Sequence, residues 1–254
     1  MYPILNITIP QEKRKEINAK ILYVIDNNLT EKYNITPEIV YNTYTGKGGL
    51  HELSFNDYSS FYEYTKKKQS IEEGQFFTPH HICKFIVDCI KPKESDLICD
   101  MTAGMGNFAN WLPIQENVYL NEIDISCVKI MKYLYPKANI TASDIRDYNP
   151  DVKMDIVFGN PPFGIDLIVE GNKFKFEYYY FLKANEILKE GGLLAIIVPN
   201  YFLEDEFSHK FYIESINNMF ELLVQFKLPK DIFSYVGVKN YETKAMILQK
   251  RICF

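Results

Sequence analysis

A chain of 254 residues is long enough for one large domain, or for one domain with a small appendage. With 47% hydrophobic and 24% charged residues it has the make-up of an ordinary globular protein. Its net charge of -5 argues mildly against free-standing nucleic-acid binding, because phosphate contacts need a basic footprint. The five cysteines (Cys83, Cys89, Cys99, Cys127, Cys253) are scattered, odd in number and form no C-x-x-C, so neither a zinc site nor a disulfide framework is indicated and a reducing cytosol fits. The longest strongly apolar run, Leu193 to Val198, is far too short to span a membrane. The first residues lack a basic-then-apolar signal pattern.

In chain order, residues 11–28 place Ile17, Ile21, Leu22, Val24 and Ile25 at near-helical spacing, which predicts an amphipathic helix. Thr36-Pro37-Glu38 is a helix start, with a capping hydroxyl followed by proline at the first position. Gly46-Lys47-Gly48-Gly49 follows; with no strand before it and no Walker spacing after it, it reads as a flexible loop. Residues 56–68 read as a helix ending in Lys66-Lys67-Lys68, a solvated helix end. In Gly74-Gln75-Phe76-Phe77-Thr78-Pro79 the spacing predicts that Thr78 caps, and Pro79 begins, a helix through Ile82, Phe85, Ile86 and Cys89.

From Asp96 onward strands and helices alternate. Strands are expected at 96–100, 118–122, 138–143, 154–158, 193–199, 221–228 and 243–250. Helices are expected through Val128, at 177–189, where Gly191 takes the left-handed C′ position, and near 207–220. Residues 164–175 read as a mobile loop. The pattern implies an α/β fold with a mostly parallel seven-stranded sheet, helices on both faces and a small helical N-terminal segment. The division expected is residues 1–70 for that segment and 71–254 for a catalytic domain, with no separate target-recognition domain.

Chemistry-bearing residues fall at strand ends. The strand 154–158 stops at Gly159-Asn160-Pro161-Pro162-Phe163, where two prolines stiffen the loop. Such a loop presents an amide, free carbonyls and a ring where ligands bind in open α/β sheets. It suits attack by a planar exocyclic amine, a poor nucleophile whose N–H bonds need acceptors: Asn160 Oδ1 and the Pro161 carbonyl, with Phe163 on the ring face. Met101 to Phe108 is a glycine loop after a strand that ends in Asp100. It also fits Gly-x-Gly-x-x-Ala (Gly104, Gly106, Ala109), so a dinucleotide site must be weighed; Asp100 would repel a pyrophosphate, yet it suits an ammonium. Glu122 lies about 20 residues beyond the loop, where an acid meets ribose hydroxyls. Asp144 ends the third strand, as a ligand group or as a turn cap.

Together, Gln-Phe-Phe-Thr-Pro at 75–79 and Asn-Pro-Pro-Phe at 160–163 resemble S-adenosylmethionine-dependent N6-adenine DNA methyltransferases, especially the modification subunits of type I restriction systems. The resemblance covers roughly residues 74–250 and implies a Rossmann-like methyltransferase fold in a prokaryotic, phage or mobile-element setting. It implies that S-adenosylmethionine is the cofactor, bound by Phe77, Thr78, Asp100, Thr102, Gly104, Gly106, Asn107, Phe108, Glu122, Asp144, Ile145 and Asn160. Catalysis would fall to Asn160, Pro161, Pro162 and Phe163, with Phe233 closing the second face of a flipped adenine and with no metal. DNA would be the substrate, and a separate specificity subunit or domain would choose the site. The rivals are methylation of RNA (guanine N2 or adenine N6) or of a protein glutamine, a non-catalytic subunit that retains the fold, and a nicotinamide-dependent oxidoreductase.

Overall fold

The computed structural model describes residues 1–204, 210–238 and 240–252. Three N-terminal helices, α1 (Arg14–Asp26), α2 (Pro37–Thr43) and α3 (Phe61–Glu72), precede α4 (His80–Ile90) and β1 (Ile98–Asp100). Next come β2 (Val118–Asn121), α5 (Ile125–Leu134), β3 (Asn139–Thr141) and β4 (Met154–Gly159). The hairpin β5 (Asp166–Val169) and β6 (Asn172–Lys175) leads to α6 (Phe176–Ile187) and β7 (Leu188–Pro199). The chain closes with α7 (Lys210–Met219), β8 (Phe220–Lys227) and β9 (Thr243–Lys250).

Seven strands form one sheet in the order β3-β2-β1-β4-β7-β9-β8. The first five are parallel, and β9 runs antiparallel between β7 and β8. Successive side chains of a strand point to opposite faces, and the core divides accordingly. Val157 packs with Tyr180, Phe181 and Ala184 of α6, whereas Ile156 and Phe158 pack with Ile82, Cys83 and Ile86 of α4. Val118 and Leu120 of β2 bury against α5, with Ile21 of α1 and Val40 of α2 in the same cluster. Helices therefore cover both faces, and the N-terminal pieces rest on α5.

Beside the seven expected strands lie four local departures. Residues 166–175 form a hairpin, not a loop, because Glu170 and Gly171 both take positive φ in a two-residue turn that matches strand twist. Lys173 and Lys175 both pair with Asp166 across it. Thr78 does not cap α4; Pro79 occupies the N-cap and the helix begins at His80. Gly191 has φ of +74° but lies within β7, since α6 has already ended at Ile187. The helix of 56–68 is shifted to Phe61–Glu72, with Ser60 as its cap. Of the helix expected near 207–220, residues 207–209 lie outside the described residues.

The position that organises the site is the boundary between β1 and β4. These neighbours are in parallel register, Asp100 beside Phe158, yet the chain leaves them toward different parts of the molecule. One hydroxyl ties the two ends together: Tyr180 of α6 donates to the Phe158 carbonyl at 2.6 Å and accepts from the Met101 amide at 3.3 Å. Gly159 is required by this approach, because a Cβ there would lie 2.2 Å from the Tyr180 oxygen. Tyr180→Phe keeps the ring but leaves the buried Met101 N–H without its partner. It should lower the stability of the protein by about 1–3 kcal/mol, read as a shifted urea midpoint with unchanged slope.

Candidate active site

The ends of β1, β2, β3 and β4 open onto one cavity. From β1 and the glycine loop come Asp100, Thr102, Gly104, Asn107 and Phe108; from β2, Glu122; from the end of β3, Asp144 and Ile145. From β4 come Asn160 and Pro162, and Phe77 and Thr78 close the mouth. Gly106 is the one residue of the expected cofactor set that does not line the cavity. It takes φ of +83° where a Cβ would lie 2.6 Å from the Tyr135 ring, so it serves the turn and the packing beneath it.

A second cavity adjoins the first and is lined by Pro161, Phe163, Phe233, Tyr241 and residues of α3. Four residues wall both cavities: Gly74, Phe76, Asn160 and Ile165. Phe233 lines the second cavity but is only 2% exposed. The ring stacked on Phe163 is Tyr241, near parallel at 10° with centroids 5.9 Å apart.

Asn160 donates its Nδ2 to the Phe76 carbonyl at 2.9 Å. That bond fixes the amide's orientation, and its buried Oδ1 has no partner. Thr102 Oγ1 and Asn107 Oδ1 are likewise buried and unpaired. Glu122 is more occupied: Oε2 accepts from the Gly104 amide at 2.8 Å, and Oε1 from the Ile123 and Asp124 amides at 2.9 Å. Asp144 accepts from its own turn, at the Arg146 amide, and from the Arg146 guanidinium at 2.7 and 2.9 Å. The turn-cap role is therefore real, although the residue still lines the cavity.

The Gly-Lys-Gly-Gly stretch is no free loop. Gly46 and Gly48 lie so close to Gln75 that a Cβ on either would meet it at 2.4 or 2.3 Å. Gln75 Oε1 accepts from the Lys47 amide at 2.7 Å, and Lys47 Nζ reaches both Glu73 and Asp124 at 2.8 Å. The 75–79 loop is held further by Asn107 Nδ2 on the Thr78 carbonyl at 2.7 Å and by the Tyr235 hydroxyl on the Phe77 carbonyl. Sequence reading missed Lys47, Gln75, Tyr235 and Tyr241. Only the glycines flanking Lys47 hinted at a close backbone approach.

The carboxylates differ by depth. Burial pushes Asp100 up to about 7, with the Thr102 amide opposing and the Glu122 charge adding to the rise. Burial also raises Glu122. Nearer the surface, Arg146 holds Asp144 below its ordinary value, and at Asp124 the hydrogen bond and charge of Lys47 outweigh burial. Among the described residues the inner pair thus has no cation within ion-pair distance.

Comparison with known proteins places this arrangement. Residues 55–130, which include the 75–79 loop, the glycine loop and Glu122, match the family model described as N-6 DNA Methylase. The match is to the N-6 DNA methylases. The stretch ends before Asn160. The Type II methyltransferase M.HincII of Haemophilus influenzae is 27% identical over 208 residues, covering 69% of this chain and 39% of that protein. The chain thus spans about two fifths of that relative's length. A structure assigned to the class I S-adenosylmethionine-dependent methyltransferases, from Listeria monocytogenes, superposes with a TM-score of 0.60 at 16% identity, covering 93% of this chain and 88% of the other. The type I restriction-modification methyltransferase subunit from Streptococcus thermophilus gives 0.56 at 17% identity, covering 70% and 45%. The fold is that of the class I methyltransferases.

The folded Asp100 keeps its proton up to about pH 7, whereas the unfolded chain releases it near its ordinary value of 3.8. Across that window Asp100 binds more protons in the native state, so its contribution to stability falls as pH rises from about 4 to about 7 and levels off above. Asp100→Asn should remove this fall, of a few kcal/mol, in urea titrations at a series of pH values.

Proposed function

We propose that the chain transfers a methyl group from S-adenosylmethionine to the N6 amine of an adenine flipped out of DNA. The observation that carries this reading is Asn160, which walls both cavities and has an unpaired buried Oδ1. A residue so placed can accept an N–H from a group in the second cavity while that group faces the first.

The first cavity offers acceptors in excess: Asp100, Glu122, Asp144 and the unpaired oxygens of Thr102 and Asn107. A ligand rich in donors fits that set, and S-adenosylmethionine brings an α-ammonium, ribose hydroxyls and an adenine amine. Asp100 would hold the ammonium, Glu122 the ribose, and Asp144 with Ile145 the adenine end, under Phe77 and Thr78. When bound, this cofactor supplies an electrophilic methyl on a sulfonium, so the reaction calls on neither a metal nor a covalent enzyme intermediate.

The amine of adenine is a poor nucleophile because its lone pair is shared with the ring. Asn160 Oδ1 accepting one N–H and the Pro161 carbonyl the other would hold that lone pair toward the first cavity; overall, one of the two N–H protons is lost. Positioning of this kind supplies most of the acceleration in such a transfer. Extracting the base costs a few kcal/mol, and stacking on Phe163 offsets about 1–3 kcal/mol. Selection of the DNA sequence we assign to a separate specificity subunit or domain, a reading supported by the net charge of -5.

The test is transfer of labelled methyl from S-adenosylmethionine to unmethylated DNA, total RNA and protein in parallel, with products resolved as nucleosides and amino acids. Label is expected in N6-methyladenine from DNA; label only in RNA or protein overturns the substrate. Asn160→Ala should cut transfer at least about 100-fold while cofactor affinity stays within about twofold. A variant that still methylates at near wild-type rate would remove Asn160 from the reaction.

A further inference from the structure

Helix α3 forms one wall of the second cavity. Thr65, Lys68, Gln69 and Glu72 line it beside Asn160, Pro161 and Phe163. These positions fall on one stripe of a 3.6-residue helix, and the same stripe continues one turn back to Phe61, which is 70% exposed. Tyr62, next to it, is 73% exposed, on the face that also carries Lys66.

This helix carries three consecutive lysines. Among the described residues, none of Lys66, Lys67 and Lys68 has an acidic side chain within ion-pair distance, although Lys13, Lys47, Lys84, Lys129 and Lys175 are all paired. The acids nearby are engaged: Glu63 accepts from Ser59, Glu72 from the Gly49 amide, and Glu73 from Lys47. The C-terminal basic stretch, the other candidate for a footprint, is largely used within the fold. Lys230 pairs with Glu242, Lys244 with Glu204, and Arg251 donates to the Asn217 carbonyl. In a chain of net charge -5, a run of three lysines without an ion pair among the described residues thus stands beside the cavity that Asn160 faces, with Lys68 in its lining.

We infer that α3 is a DNA-backbone contact surface, on which Lys66, Lys67 and Lys68 meet phosphates of the strand whose target base enters the second cavity. Exposed rings interleaved with unpaired cations are the chemistry of single-strand binding, rings for base faces and cations for the backbone. The strand, once a base has left its stack, presents both. This inference rests on the proposed function and deepens it by naming where the backbone lies.

The experiment measures binding of a fluorescent duplex DNA against salt, from about 50 to 200 mM, where each phosphate contact contributes about 0.9 to the slope of log K on log salt. The wild type is compared with Lys66→Ala/Lys67→Ala/Lys68→Ala and with Lys20→Ala/Lys93→Ala/Lys132→Ala. The second variant makes the same charge change at exposed lysines that line neither cavity. The α3 variant should bind more weakly with a slope smaller by about 2–3, at unchanged S-adenosylmethionine affinity and unchanged thermal unfolding, while the control keeps the wild-type slope. Equal slopes in wild type and α3 variant, with DNA still methylated, would overturn the α3 surface and leave the proposed function standing. A wild type that binds S-adenosylmethionine, yet neither binds DNA nor methylates it, would overturn both.

Discussion

Everything functional in this chain depends on two parallel neighbours, β1 and β4, parting company at their C-terminal ends. A parallel sheet with helices on both faces opens a crevice where adjacent strands send their chains apart. Here that point is held by the Tyr180 hydroxyl, which joins the Phe158 carbonyl to the Met101 amide. The bond sits one residue past Asp100 and two before Asn160. It therefore sets the distance between the buried acid of one cavity and the amide shared with the other. Gly159 exists to admit that hydroxyl.

The second dependency runs through a backbone carbonyl. Phe76 accepts the Asn160 Nδ2, so the loop over the first cavity decides which atom of the amide is left free. A carbonyl can only accept, so the nitrogen must face it and the oxygen must face away. The loop itself is fastened by Lys47, Asn107 and Tyr235, from three separate parts of the chain. The 75–79 loop and the 160–163 loop are thus one mechanical unit, and a disturbance at residues 46–49 reaches Asn160 through Gln75 and Phe76.

The sheet was legible because buried parallel strands are short apolar runs bounded by glycine, proline and acid; six of the seven lie within two residues of where pattern puts them, and β7 begins five residues earlier, at Leu188. The candidate site was legible for the same reason, since its residues sit at strand ends. What pattern could not supply were contacts set by tertiary approach. The hairpin at 166–175 depends on two positive-φ residues, only one of them a glycine. Lys47 looked like part of a flexible loop because its glycines serve closeness to Gln75, which no local pattern encodes. Tyr241 lies fourteen residues after the last residue of β8, in a stretch without periodicity, so nothing in sequence marked it as the ring beside Phe163.

The electrostatics divide by depth. Acids at the edge of the first cavity are met by cations of the chain itself, Asp144 by Arg146 and Asp124 by Lys47. The inner acids, Asp100 and Glu122, are buried together without one among the described residues, which is costly to the fold. The cost is tolerated where a donor-rich ligand can relieve it, and that relief becomes part of the ligand's affinity. Outside, the pattern reverses: unpaired lysines on α3 flank the second cavity, where attraction for an anion needs to act at a distance and each cation must remain uncommitted. The same chain of net charge -5 can therefore be acidic toward one ligand and basic toward another, because the two cavities share Asn160 but not their walls.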